Sequence, residues 1–141
     1  MKTSFVVLLV LSFLAACSAQ PTYRTAARVG QDVAVEVQTL SPDIPSFFTY
    51  YFRGRKINFF VVKVDDRVIS FLDACSRCYP AKRGYHSDKD YIICRECGVR
   101  YSVSQIEQGI GSCFPIRIEG FLRDGKYLIP ISVLEGMADK F

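Results

Sequence analysis

The chain has 141 residues, half of them hydrophobic, with 18 basic and 14 acidic side chains and a net charge of +4. That length fits one domain and leaves no room for two ordinary ones. The charge is mild and spread along the chain, so nothing requires a nucleic-acid partner, and a single histidine excludes an H-E-x-x-H zinc site, which needs two.

Lys2 precedes an almost unbroken apolar run of twelve residues, Phe5 to Ala16. This is the length of a signal-peptide core and falls short of the ~20 residues that span a bilayer. The run ends in Leu14-Ala15-Ala16-Cys17, which resembles the bacterial lipobox, whose cysteine is acylated and becomes the first mature residue. Residues 1–16 are therefore expected to be a lipoprotein signal peptide and Cys17 the lipidation site. Residues 17–30, polar and carrying Pro21 and Gly30, are expected to be a tether, and 31–141 the folded domain. The product would be an exported bacterial lipoprotein, held by its anchor on the periplasmic or cell-surface side of a membrane.

From Gln31 onward the pattern is β. Val33, Val35 and Val37 alternate with polar or small neighbours in Asp32 to Leu40, as in a half-buried strand. Ser46 to Arg53 is aromatic and strand-prone, with Phe47, Phe48, Tyr50, Tyr51 and Phe52 expected in core and cross-strand pairs. A turn at Arg53–Arg55 leads back through Lys56 to Val64, and Asp65-Asp66 turns into Arg67 to Asp73. Pro80 and Gly84 mark a loop. Tyr91 to Cys94 and Val99 to Val103 are short strands, and Ser104 to Gln108 a turn of helix. Ile116 to Arg123 and Lys126 to Ile131 flank Asp124-Gly125, a type I′ hairpin signal. Ser132 is placed to cap a short terminal helix from Val133 to Met137. The fold class is mainly β and antiparallel, with little helix.

The chemistry lies in Asp73 to Gly98, which holds Cys75/Cys78 and Cys94/Cys97 in a C-x2-C-x15-C-x2-C spacing. Each Cys-x-x-Cys turn converges two thiolates on one point, and two such turns build a four-sulfur tetrahedron within the range of a four-cysteine zinc site. Gly98, lacking a Cβ, lets the second turn fold sharply. An exported protein works where thiols oxidise, so disulfides within or between the turns stand as the rival reading.

Phe59 to Lys63, Asp73 to Tyr79, Gly84-Tyr85, Cys94 to Gly98 and Gly111 to Pro115 together resemble the membrane iron–sulfur FtrD-like family, with the likeness running from about Val33 to Met137. The resemblance implies a membrane-associated metal or iron–sulfur protein, often encoded beside bacterial iron-uptake permeases and their periplasmic partners. It implies Cys75, Cys78, Cys94 and Cys97 as the ligands. The order of elements is also similar to a Rieske domain: strands, a cysteine loop, a second cysteine loop, a Pro-bearing loop and closing strands. In Rieske centres a His replaces one Cys of each pair, whereas here both are Cys and His86 lies off the pattern. The leader carries no twin arginine, which implies export of an unfolded chain. Zinc, copper(I) or mononuclear iron would then bind after export, and a cluster would be assembled outside.

The expected function is thus a membrane-anchored metal- or iron–sulfur-binding accessory of envelope iron handling. It would pass electrons or metal to an iron-uptake permease or a periplasmic metal or redox protein, and would not be a classical enzyme. The alternatives are a periplasmic thiol–disulfide oxidoreductase and a structural zinc module that docks a partner. Tyr79-Pro80 and Gly98-Val99 continue as loop and strand, against the strand-to-helix setting of a catalytic Cys-x-x-Cys. Cys113, in a Gly-rich loop before Pro115, is expected at the rim of the site and not as a primary ligand.

Overall fold

A computed structural model of the protein describes residues 20–141. The segment read as a signal peptide and Cys17 lie outside the described residues. The chain is mainly β, and its sheets are built from short strands in chain order: β1 (Arg24–Thr25), β2 (Ala27–Val29), β3 (Asp32–Glu36), β4 (Ser46–Phe52), β5 (Arg55–Val64), β6 (Arg67–Cys75), β7 (Tyr85–Asp88), β8 (Tyr91–Cys94), β9 (Arg100–Ser102), β10 (Pro115–Ile118), β11 (Phe121–Arg123) and β12 (Lys126–Pro130). The one α-helix among the described residues, α1, covers Ile131–Glu135.

A five-stranded sheet, β1-β4-β5-β6-β10, is the middle layer. It is antiparallel except at its edge, where β1 pairs parallel with β4. Strand β5 shows why it sits in the middle. Its run Ile57 to Val64 is nearly all apolar, the mark of a strand buried on both faces. Ile57, Phe59 and Val61 enter one core cluster with Val33, Phe48, Leu72, Ile129 and Leu134. Phe60, Val62 and Val64 enter a second with Phe47, Phe71, Tyr85, Ile92 and Tyr101. The first cluster is closed by the four-stranded sheet β11-β12-β3-β2 and by α1, the second by the three-stranded sheet β7-β8-β9.

The aromatic segment divides between these layers. Phe47 packs toward Phe60 on one face, Phe48 lies over Phe59 on the other with centroids 5.4 Å apart, and Tyr51 points to solvent. The hairpin at Asp124-Gly125 forms as expected, with both residues at positive φ.

Several details differ from the sequence reading: the strand expected over Asp32 to Leu40 ends at Glu36 and gives way to a 3-10 turn, the strand expected over Ile116 to Arg123 divides into β10 and β11 in different sheets, and the loop after Gly84 contains β7. The terminal helix begins at Ile131, with Pro130 in the N-cap place and no side-chain cap, so Ser132 lies inside the helix. Burial of Ile131 and Leu134, three residues apart on one helical face, sets that start. Part of the segment read as a tether is paired: β1 joins the middle sheet and β2 pairs antiparallel with β3.

Candidate metal centre

Both Cys-x-x-Cys motifs begin where a strand runs out. Cys75 is the last residue of β6 and Cys94 the last of β8, and each is followed by a tight turn. The two turns repeat one design. The backbone N–H groups of Arg77 and Cys78 lie near the Cys75 sulfur, and those of Glu96 and Cys97 near the Cys94 sulfur, where they favour the thiolate. The second turn is closed by Gly98 N–H donating to Cys94 O at 2.9 Å, with Gly98 at φ +72°. Beyond it, the Val99 N–H points to the Cys97 sulfur.

The sulfurs gather in two overlapping triads. Cys75, Cys78 and Cys94 form one, Cys78, Cys97 and Cys113 the other, and within each triad all sulfurs lie within 4.8 Å of one another. Cys78 belongs to both. Cys97 also neighbours Cys94, and Cys113 neighbours Cys75, so five thiols from three loops make one continuous cluster. Cys97 is exposed, Cys78 half-buried, and the other three buried, which leaves the cluster open on one side. All five are free thiols.

The third loop is held on the first by Ser76. Its hydroxyl donates to Ser112 O at 2.7 Å and accepts from the Phe114 N–H at 3.3 Å, while its own N–H donates to Phe114 O at 2.9 Å. Pro115 then pairs with Cys75 at the start of β10. A residue lying between the first two cysteines therefore clamps the loop that delivers the fifth.

Asp73, two residues before Cys75, is only 5% exposed in an otherwise apolar stretch of strand. Its carboxylate accepts the Tyr85 backbone N–H at 2.7 Å and the Tyr23 hydroxyl. Gly84 lies directly over it: a Cβ there would come within 2.7 Å of the carboxyl carbon. Gly84 O in turn accepts from the Arg95 N–H at 3.0 Å, inside the second cysteine turn. Asp73 thus links the two turns through Gly84 and Tyr85. A small cavity of about 40 Å³ lies beside the cluster, lined in part by Tyr23, Asp73, Cys75, Cys78, Cys94 and Arg83.

Electrostatics divide the group. Burial raises the Cys75 thiol, but the Arg77 and Cys78 N–H groups and the side chains of Tyr85 and Cys78 outweigh it and bring it down to about 7. Burial likewise works against the Cys97 thiolate, and the Val99 N–H with the neighbouring sulfurs overcomes it, so this thiol is lowered. Burial pushes Cys94 up to about 11, and burial with crowding by Cys97 and Cys75 pushes Cys78 up. Cys113 is raised by burial and then by Cys97. A bound metal ion would reverse these rises by holding the sulfurs deprotonated. The donor set fits soft or borderline cations and iron–sulfur clusters, which take thiolate ligands.

A family model matches residues 40–141, described as membrane iron-sulfur containing protein FtrD-like. The chain belongs to this FtrD-like family. The match covers both Cys-x-x-Cys turns and the Cys113 loop, the same residues that converge in space. No curated protein and no solved structure matches the chain. The family is described as a membrane one, and among the described residues no helix is long and apolar enough to cross a bilayer.

The structure brings Cys75, Cys78, Cys94 and Cys97 into one cluster, and it brings Cys113 within 4.8 Å of Cys78 and Cys97 rather than to a distant part of the domain. His86 stands apart in β7, its Nδ1 buried without a hydrogen-bond partner among the described residues. Sequence reading placed Asp73, Ser76 and Tyr85 in the family resemblance but gave neither them nor Tyr101 a role in the site. One signal was available for Asp73: a carboxylate inside an apolar β-strand needs a buried partner.

Proposed function

We propose that this FtrD-like protein is a lipid-anchored, metal- or iron–sulfur-binding accessory of bacterial envelope iron handling. It passes electrons or metal to an iron-uptake permease or a periplasmic metal or redox protein. Cys75, Cys78, Cys94 and Cys97 are the ligands, Gly98 shapes the second turn, and Cys113 guards the rim. Acylated Cys17 supplies the membrane attachment, with the domain on the periplasmic or cell-surface side.

The observation that carries this reading is the meeting of the two Cys-x-x-Cys turns, with the sulfurs of Cys75, Cys78 and Cys94 all within 4.8 Å of one another. Matching backbone N–H groups near Cys75 and Cys94 support it, because such donors stabilise bound thiolates. The family description supports iron as the element handled. Two cysteine turns at strand ends, with a Pro-bearing third loop laid on the first, support a Rieske-like arrangement. A [2Fe–2S] centre held by these thiolates alone would have a potential toward the plant-ferredoxin range, roughly −400 mV.

The test is metal, acid-labile sulfide and thiol analysis of full-length protein extracted from its native envelope. Iron with labile sulfide supports a cluster, and a single iron or zinc ion with protected thiols supports a mononuclear site. Metal-free protein with paired sulfurs overturns the reading in favour of disulfides.

A further inference from the structure

We propose that Tyr85 and Tyr101 are positioning residues that donate hydrogen bonds from their hydroxyls to the sulfur atoms of the metal-loaded centre. This rests on the metal-site reading above and extends it to two residues that carry no ligand atom.

The two side chains are 0% and 3% exposed, and both hydroxyl oxygens are buried without a hydrogen-bond partner among the described residues. A buried phenol with nothing to bond is costly, and phenylalanine would fill the same space without that cost. Tyr127 shows the ordinary solution in this same protein: comparably buried, its hydroxyl meets Ser70 Oγ at 3.0 Å.

Strand register explains where the two hydroxyls point. Tyr85 in β7 stands opposite Cys94 in β8, and Tyr101 in β9 stands opposite Ile92, two residues before Cys94. The period-2 alternation of strands puts Tyr85, Ile92, Cys94 and Tyr101 on one face. That face packs on the second core cluster, which also contains Cys75 and Cys113. The rings are wedged, Tyr85 edge-on to Phe60 at 5.9 Å and to Tyr101 at 6.3 Å, so neither can swing its oxygen out to water.

Cysteines share the buried cluster that holds both rings. The Tyr85 hydroxyl faces Cys75, with Cys94 nearby, but the contact does not close into a well-formed hydrogen bond. Tyr101 is buried in the same cluster as Cys75, Cys94 and Cys113. A neutral thiol is a weak acceptor. A metal-bound thiolate, or a sulfide of a cluster, is a charged acceptor and forms a stronger bond. Loading the site therefore supplies the partners these hydroxyls lack in the thiol form, and hydrogen bonds to sulfur are one of the protein's means of setting affinity and potential.

Reduced full-length protein, wild type and the variants Y85F, Y101F and Y127F, would be titrated with cobalt(II) against a competing chelator and melted without metal. Tyr85→Phe and Tyr101→Phe are expected to melt at or above the wild-type temperature when metal-free. They are expected to bind cobalt(II) about tenfold more weakly, as the loss of an outer-shell donor does. Their thiolate-to-cobalt charge-transfer bands are expected to move to longer wavelength as the sulfur lone pairs lose a stabilising O–H dipole. Tyr127→Phe is expected to do the reverse, melting lower with affinity unchanged. Unchanged affinity and bands in both Y85F and Y101F overturn the inference while leaving the metal site standing. Lowered metal-free melting in both, with unchanged bands, assigns them a packing role and also overturns it. If wild-type protein shows no thiolate–cobalt bands, the metal-site reading fails and this inference fails with it.

Discussion

Replacing Gly84 by alanine tests whether Asp73 ties the two cysteine turns together. Gly84 has φ +64°, where an L-residue costs about 1–2 kcal/mol. The added Cβ would also stand 2.7 Å from the Asp73 carboxyl carbon, too close for real atoms. The carboxylate must move, and it is held by the Tyr85 N–H at 2.7 Å and by the Tyr23 hydroxyl. Breaking the first of these leaves a buried donor and acceptor unpaired, at about 1–3 kcal/mol. The combined loss is about 2–5 kcal/mol. Gly125 provides the control, because it has φ +74° but nothing within 4 Å of an added Cβ, so Gly125→Ala should cost only the backbone part, about 1–2 kcal/mol. The assay is urea unfolding of reduced, metal-free protein followed by far-UV circular dichroism. Gly84→Ala should be less stable than Gly125→Ala by about 1–3 kcal/mol. Equal losses in the two variants would refute the role given to Asp73.

Cys78 belongs to both sulfur triads, so Cys78→Ser should abolish metal binding in chelator competition, whereas Cys113→Ser should keep the metal but release it faster. Ser76→Ala removes the bond to Ser112 O at 2.7 Å, and should lower stability by about 1 kcal/mol and speed metal release as Cys113→Ser does, read by stopped-flow chelation. Mass spectrometry of the N-terminal peptide should find Cys17 diacylated and first in the mature chain, and an unmodified Cys17 would remove the anchor.

Much of the strand framework was legible because its signals are local. The apolar run of β5, the Asp-Gly turn at 124–125 and the Arg53-Gly54 turn depend only on side-chain alternation and on φ preferences. What was missed has a physical reason. Strands β1 and β2 are two and three residues long and consist only of exposed residues, so no alternation marks them. In β7 only Tyr85 is buried, and the polar His86-Ser87-Asp88 that follows reads as loop. Ser76 looks like a spacer between cysteines until the 110–114 segment is seen folded onto it.

That the thiols act in pairs follows from local spacing alone. A tight turn brings Cys75 to Cys78 and Cys94 to Cys97 whatever the rest of the chain does, and the family match over 40–141 spans those same residues. Which pair meets which, and that Cys113 joins them, depends on long-range packing. Cys75 lies opposite Pro115, and Tyr85 lies opposite Cys94. The first of these pairings joins segments far apart in the chain, through a sheet buried on both faces. Such register comes from burying Phe60, Phe71, Ile92 and Tyr101 together, a collective packing energy that no short motif encodes.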